Sequence, residues 1–203
     1  YQWTKISGPT QYNIVSPTQA QSVINNLVQG VYQFQLIVTD NQGATGKDTV
    51  QVTVNPANIA PTANAGPNQN ITLPTNSVTL TGSGSDPDGN IASYQWTKIS
   101  GPTQYNIVSP TQAQTVINNL VQGVYQFQLK VTDNLGATAT ATVTVTVNPA
   151  PNKPPTANAG PNQNITLPTN SVTLAGSGSD PDGNIASYQW TKISGPTQFT
   201  IVS

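Results

Sequence analysis

Six of the seven acidic residues in this 203-residue chain fall in two short motifs. Asp86 and Asp88 lie in SDPDG, Asp180 and Asp182 lie in a second SDPDG, and Asp40 and Asp133 each close a VTDN segment; Asp48 alone stands apart. The sequence holds no His, Cys, Glu or Arg, so the familiar nucleophile–base pairs cannot be assembled from it. Asp86 and Asp88 formally offer a glycosidase pair, but that chemistry needs two carboxyls flanking a cleft, one of them with a raised pKa. A surface turn supplies neither, so the chain reads as a non-enzyme that requires no cofactor. Loop-borne carboxylates suit a different task. Ca2+ takes roughly six to eight hard oxygen ligands, drawn from carboxylates and carbonyls.

The elements that must position these acids read as strands. In VYQFQLKV (124–131), Tyr125, Phe127, Leu129 and Val131 share one face, while Gln126, Gln128 and Lys130 share the other. TVTVTV (142–147) sets Val143, Val145 and Val147 inward, with a Thr row outward. Ser77 to Leu80, Ile91 to Ile99 (with Tyr94 and Trp96 on one face) and Thr115 to Leu120 complete the pattern. DPDG (86–89) and DNLG (133–136) carry Asp, Pro and Gly where tight turns need them. No helical period of useful length occurs. About seven short strands with a central Trp on the third predict an all-β, immunoglobulin-like sandwich without disulfides. Its expected core is Val78, Leu80, Trp96, Ile107, Ile117, Leu120, Tyr125, Phe127, Leu129, Val143 and Val145.

The chain also repeats itself. Residues 1–56 return as 94–149 with seven positions changed, and residues 61–109 return as 155–203 with three changed. Swaps such as Ile37 for Lys130 and Gln51 for Thr144 fall on the outward parity, as the strand assignment requires. A period of 93 or 94 residues is one domain per repeat, not a solenoid unit. The division is a C-terminal half-module (1–56), a linker (57–60), a complete module (61–148), a second linker (149–154) and an N-terminal half-module (155–203). The chain opens at Tyr1 inside a repeat and reads as a window on a longer array.

PTANAGPNQNITLP, SGSDPDGNIASYQWTKISGP and GVYQFQLKVTDNLGATATATVTVTV, in that order, resemble the polycystic-kidney-disease (PKD) domain. The resemblance is to the branch carrying WxKxSGP where others carry WDFGDG, and it covers the whole chain. It implies a tandem extracellular β-sandwich serving as spacer, stalk or adhesive module, of the kind found in bacterial surface proteins and beside catalytic domains of secreted hydrolases. Some PKD-like modules of secreted bacterial collagenases bind Ca2+ near one pole.

In a sandwich of this topology the SDPDG loop, the VTDN loop and the incoming linker share a pole. Asp86, Asp88, Asp133 and Asn58 are therefore the candidate Ca2+ ligands, with Asp180, Asp182, Asn152 and Asp40 as their equivalents in the partial modules. The alternative is that DPDG is only a tight turn and Asp133 only caps a hairpin. The net charge of −1 excludes a basic nucleic-acid surface, and no apolar run is long enough to insert in a membrane. A Thr- and Asn-rich, charge-poor composition points to an extracellular or cell-surface protein of bacterial origin. The leading reading is a semi-rigid stalk, spacer or filament segment. Its partners would be neighbouring modules of the same chain, with lateral or head-to-tail self-assembly. The rivals are an adhesive or glycan-binding repeat using Tyr105 and Asn106, and an accessory spacer in a secreted hydrolase. Asn70 and Asn164 each begin an N-glycosylation sequon.

Overall fold

A computed structural model describes residues 1–202. The first half-module forms β1 (Gln2–Ser7), β2 (Asn13–Ile14), β3 (Ile24–Asn25), β4 (Gly30–Thr39) and β5 (Thr45–Val54). The complete module forms β6 (Thr62–Asn64), β7 (Gln69–Thr72), β8 (Val78–Thr81), β9 (Ser83–Ser85), β10 (Ile91–Ser100), β11 (Asn106–Ile107), β12 (Gln114–Asn118), β13 (Gly123–Asp133) and β14 (Thr138–Asn148). The last half-module forms β15 (Thr156–Asn158) and β16 (Ser177–Ser179). Among the described residues there is no helix. The all-β expectation holds.

In the complete module one sheet runs β10-β13-β14-β7 and faces the smaller β11-β12-β8 and β6-β9 pairings. Apolar residues at alternate positions generate this arrangement. Tyr125, Phe127, Leu129 and Val131 from β13 meet Val143, Val145 and Val147 from β14, and all are buried. Leu80, Trp96, Ile117 and Leu120 close the core from the other elements. Of the expected core, Val78 and Ile107 are only partly buried, while Ala65, Val131 and Val147 join it. The structure also finds four short strands that periodicity did not show: β6, β7, β9 and β11. Two to four residues are too few to display a period, and hydrogen-bonding partners alone define them. β7 runs parallel to β14, from Gln69 beside Val145 to Thr72 beside Asn148.

Two side-chain devices lock the module. Trp96 donates its indole N–H to the carbonyls of Gln112 and Ala113 at 3.1 and 3.2 Å. The Tyr125 hydroxyl accepts from the Val121 amide at 3.0 Å and donates to the Gln104 carbonyl at 3.0 Å. This is the tyrosine corner familiar in such sandwiches, and it leaves the hydroxyl satisfied although the ring is buried. Gly82 is required by close approach: a Cβ there would lie 2.7 Å from both the Ala113 carbonyl oxygen and the Trp96 ring.

Candidate functional site

The three acids of the complete module sit where the ladder positions them. β10 begins at Ile91, which pairs with Asp133 at the end of β13, while Thr62 at the start of β6 pairs with Ser85 just before Asp86. The β9–β10 loop, the β13–β14 turn and the incoming linker therefore meet at one end. Asn134 bridges the two loops: its backbone N–H donates to Asn90 O at 3.0 Å, and its Oδ1 accepts from the Asn90 amide at 2.9 Å. Sequence reasoning missed Asn134, whose only signal was its place beside Asp133. It also explains Gly89, where a Cβ would press on Asn134 Oδ1 and lie 2.7 Å from Asp86 Oδ2.

Asp133 is buried. Its Oδ1 accepts the amides of Leu135 and Ala137, both at 2.9 Å, and its Oδ2 accepts Asn58 Nδ2 at 2.9 Å across 75 residues of chain. Asp88 accepts the Ile59 amide, at 3.1 Å to Oδ2 and 3.3 Å to Oδ1. Asp86 Oδ1 accepts the Asp88 amide at 3.4 Å, whereas Asp86 Oδ2 is buried without a partner. Desolvation is the largest influence on Asp86, and with the neighbouring charges of Asp88 and Asp133 it holds that carboxyl above its ordinary 3.8. Burial pushes Asp133 the same way, but the hydrogen bonds from Asn58 and the turn amides outweigh it and leave that carboxyl below 3.8.

All four predicted residues are thus brought to one place, but as a clasp on the linker. Asp133 and Asp88 use their oxygens on amides, and Asn58 presents its NH2 group, not its oxygen, to Asp133. Among the described residues no group of three or more acidic side chains gathers closely enough to hold a metal ion. To fit Ca2+, Asn58 would have to turn its oxygen inward, which frees Asp133 Oδ2 while Oδ1 keeps its two turn amides.

The partial modules repeat the parts they contain. Asp40 Oδ1 accepts the amides of Gln42 and Ala44 at 2.9 and 2.8 Å, so the hairpin cap needs no linker. Asp182 accepts the Lys153 amide at 3.0 Å, as Asp88 accepts that of Ile59, and its own amide donates to Asp180 at 3.2 Å. Asn152, the counterpart of Asn58, lies in the same linker.

Tyr105 is exposed, with its ring in contact with two neighbours. It packs edge-to-face with Phe127 at 6.1 Å between centroids, and Lys98 Nζ lies 4.7 Å over the Tyr105 ring. Asn106 is tied to Asn118 by a side-chain hydrogen bond of 3.0 Å. Lys98 also donates to the carbonyls of Gly101 and Pro102, so its ammonium staples the SGP turn.

The match to a family model follows the same modular outline. The model for the K319L-like PKD domain matches residues 1–54, 65–147 and 159–203. The chain belongs to the K319L-like PKD domain family. Among curated relatives, the mouse dyslexia-associated protein KIAA0319-like protein is 44% identical over 200 residues, covering 97% of this chain and 19% of that protein. Human dyslexia-associated protein KIAA0319 is 41% identical over 201 residues, again covering 97% of this chain and 19% of the relative. The chain therefore spans about a fifth of the length of these relatives. The solution structure of the PKD domain (329-428) from human KIAA0319 is 30% identical, with a TM-score of 0.39, covering 52% of this chain and 89% of that one. These K319L-like relatives are mammalian, and the bacterial origin expected from composition finds no support among them.

Proposed function

We propose that this K319L-like PKD segment is a non-catalytic extracellular spacer. It sets the distance between parts of a longer protein and limits how far successive modules swing. The observation that carries this reading is the linker clasp, made twice by the same chemistry: Ile59 to Asp88 and Lys153 to Asp182. A linker whose backbone is hydrogen-bonded to the following module loses swivel freedom, and the flanking prolines Pro56, Pro61, Pro149, Pro151, Pro154 and Pro155 stiffen it further. With strands of about ten residues at 3.3 Å each, every module adds roughly 35 to 45 Å of length.

Small-angle scattering on a three-module chain tests the reading, comparing the parent with Asp88→Ala and adding Ca2+ or a chelator to each. An extended parent particle, a more compact and variable Asp88→Ala ensemble and indifference to chelator are expected. A parent already as flexible as the variant would end the spacer reading. Stiffening by Ca2+ would mean that the pole rearranges into an ion site.

A further inference from the structure

Tension along a tandem chain enters a module at one linker and leaves it at the next. In the complete module those two points lie at opposite poles. Asn58 holds the incoming linker at the Asp133 end of β13, while Gly123 at the other end pairs with Val147, just before the outgoing linker. Eleven strand residues separate these ends by roughly 35 Å. Between the poles the load passes through β7 and β14, which run parallel from Gln69 beside Val145 to Thr72 beside Asn148. Pulling draws β7 back toward the incoming linker and β14 forward toward the outgoing one. The two strands must slide past each other, and their evenly spaced hydrogen bonds are all loaded at once. The antiparallel β13–β14 pair behaves differently: separating Gly123 from Val147 opens its bonds one after another.

Further contacts reinforce the parallel pair along its length. One residue before the ladder, Asn68 Oδ1 accepts the Thr144 amide at 2.9 Å. One residue after it, the Leu73 amide donates to the Asn148 carbonyl at 3.1 Å. Within it, Asn148 Nδ2 donates to Asn70 Oδ1 at 2.6 Å. Asn is a poor strand former, and a cross-strand lock explains why three of them stand here. Behind the pair, Val145 and Val147 are buried and Ile71 and Leu73 pack against the core, so sliding also exposes apolar surface to water. We propose that the complete module bears load, with β7, β14 and the Asn68–Asn70–Asn148 lock as the part that resists unfolding under tension. This goes beyond the spacer reading, since it concerns the strength of the module and holds whether the linkers are stiff or free. Scattering tests the linkers; force on a single module tests the lock.

The absence of Cys lets pulling handles be placed at will on the full chain. Handles on Ala60→Cys and Ala150→Cys load β7 and β14 in shear, whereas handles on Gln122→Cys and Ala150→Cys peel β14 from β13. At one pulling speed, single-molecule force spectroscopy should give a higher unfolding force for the shear geometry than for the peeling one. Adding Asn68→Ala and Asn70→Ala should speed unfolding under shear by about fivefold for each hydrogen bond lost, and leave the peeling force as it was. Equal forces in the two geometries would overturn the proposal, and so would a variant weakened alike in both, which is the mark of general destabilisation. If the double variant does not fold, the comparison of the two geometries without it decides the matter.

Discussion

At the residue scale, the module is most sensitive where a buried polar group has a single arrangement of partners. Replacing Tyr125 by Phe leaves the Val121 amide without the acceptor it now has and should lower stability by about 1 to 2 kcal/mol, measured by urea denaturation. Gly82→Ala drives a methyl into the Ala113 carbonyl and the Trp96 ring, an overpacking that costs about 1 to 3 kcal/mol, visible as a lower Tm. The two shifted carboxyls give pH profiles of opposite sign. Asp133 is depressed, so its contribution is present above 3.8 and lost as pH falls through its lower folded value. Asp86 is raised, so its contribution is present below 3.8 and lost as pH rises through its higher folded value. Asp133→Asn should therefore destabilise the module at neutral pH, with a deficit that shrinks in acid. Asp86→Asn should stabilise it at neutral pH and lose that advantage below 3.8. Stability measured across the acid-to-neutral range on both variants checks the pair.

At the element scale, the long strands were legible because ten residues of alternation are more than chance, and swaps such as Lys130 for Ile37 marked their outward faces. β13 and β14 lie where VYQFQLKV and TVTVTV predicted them, extended by a few residues at their ends. The short strands were not legible. β6 is TAN and β9 is SGS, segments whose composition suits turns and which become strands only by pairing with each other. The linker shares that dependence. Residues 57–60 carry no periodicity, yet Asn58 and Ile59 are held by acids 75 and 29 positions away. Asn58→Ala should speed amide hydrogen exchange at residues 57–60, where only the exposed Ile59 contact would remain, and cost about 1 to 2 kcal/mol by leaving Oδ2 of the buried Asp133 without its partner. Unchanged exchange would mean that the prolines alone restrain the linker.

For the molecule as a whole, the sequence by itself determined the class, the repeat and its period, the core of the complete module and the meeting of the SDPDG and VTDN loops with the incoming linker. Each of these follows from local rules: alternation fixes which face is inward, Asp-Pro and Gly fix the turns, and near-identity of copies fixes the modularity. Tertiary structure decided what the acids do on meeting. Whether a carboxylate faces an ion, another carboxylate or an amide depends on angstrom-scale placement of atoms far apart in sequence. Here Asp133 and Asp88 face the linker's amide groups, while Asp86 Oδ2 is left buried without a partner. Tertiary structure also decided what surrounds the exposed Tyr105 ring, with Lys98 over one face and Phe127 beside it, since parity says which side a ring is on and nothing about what packs against it.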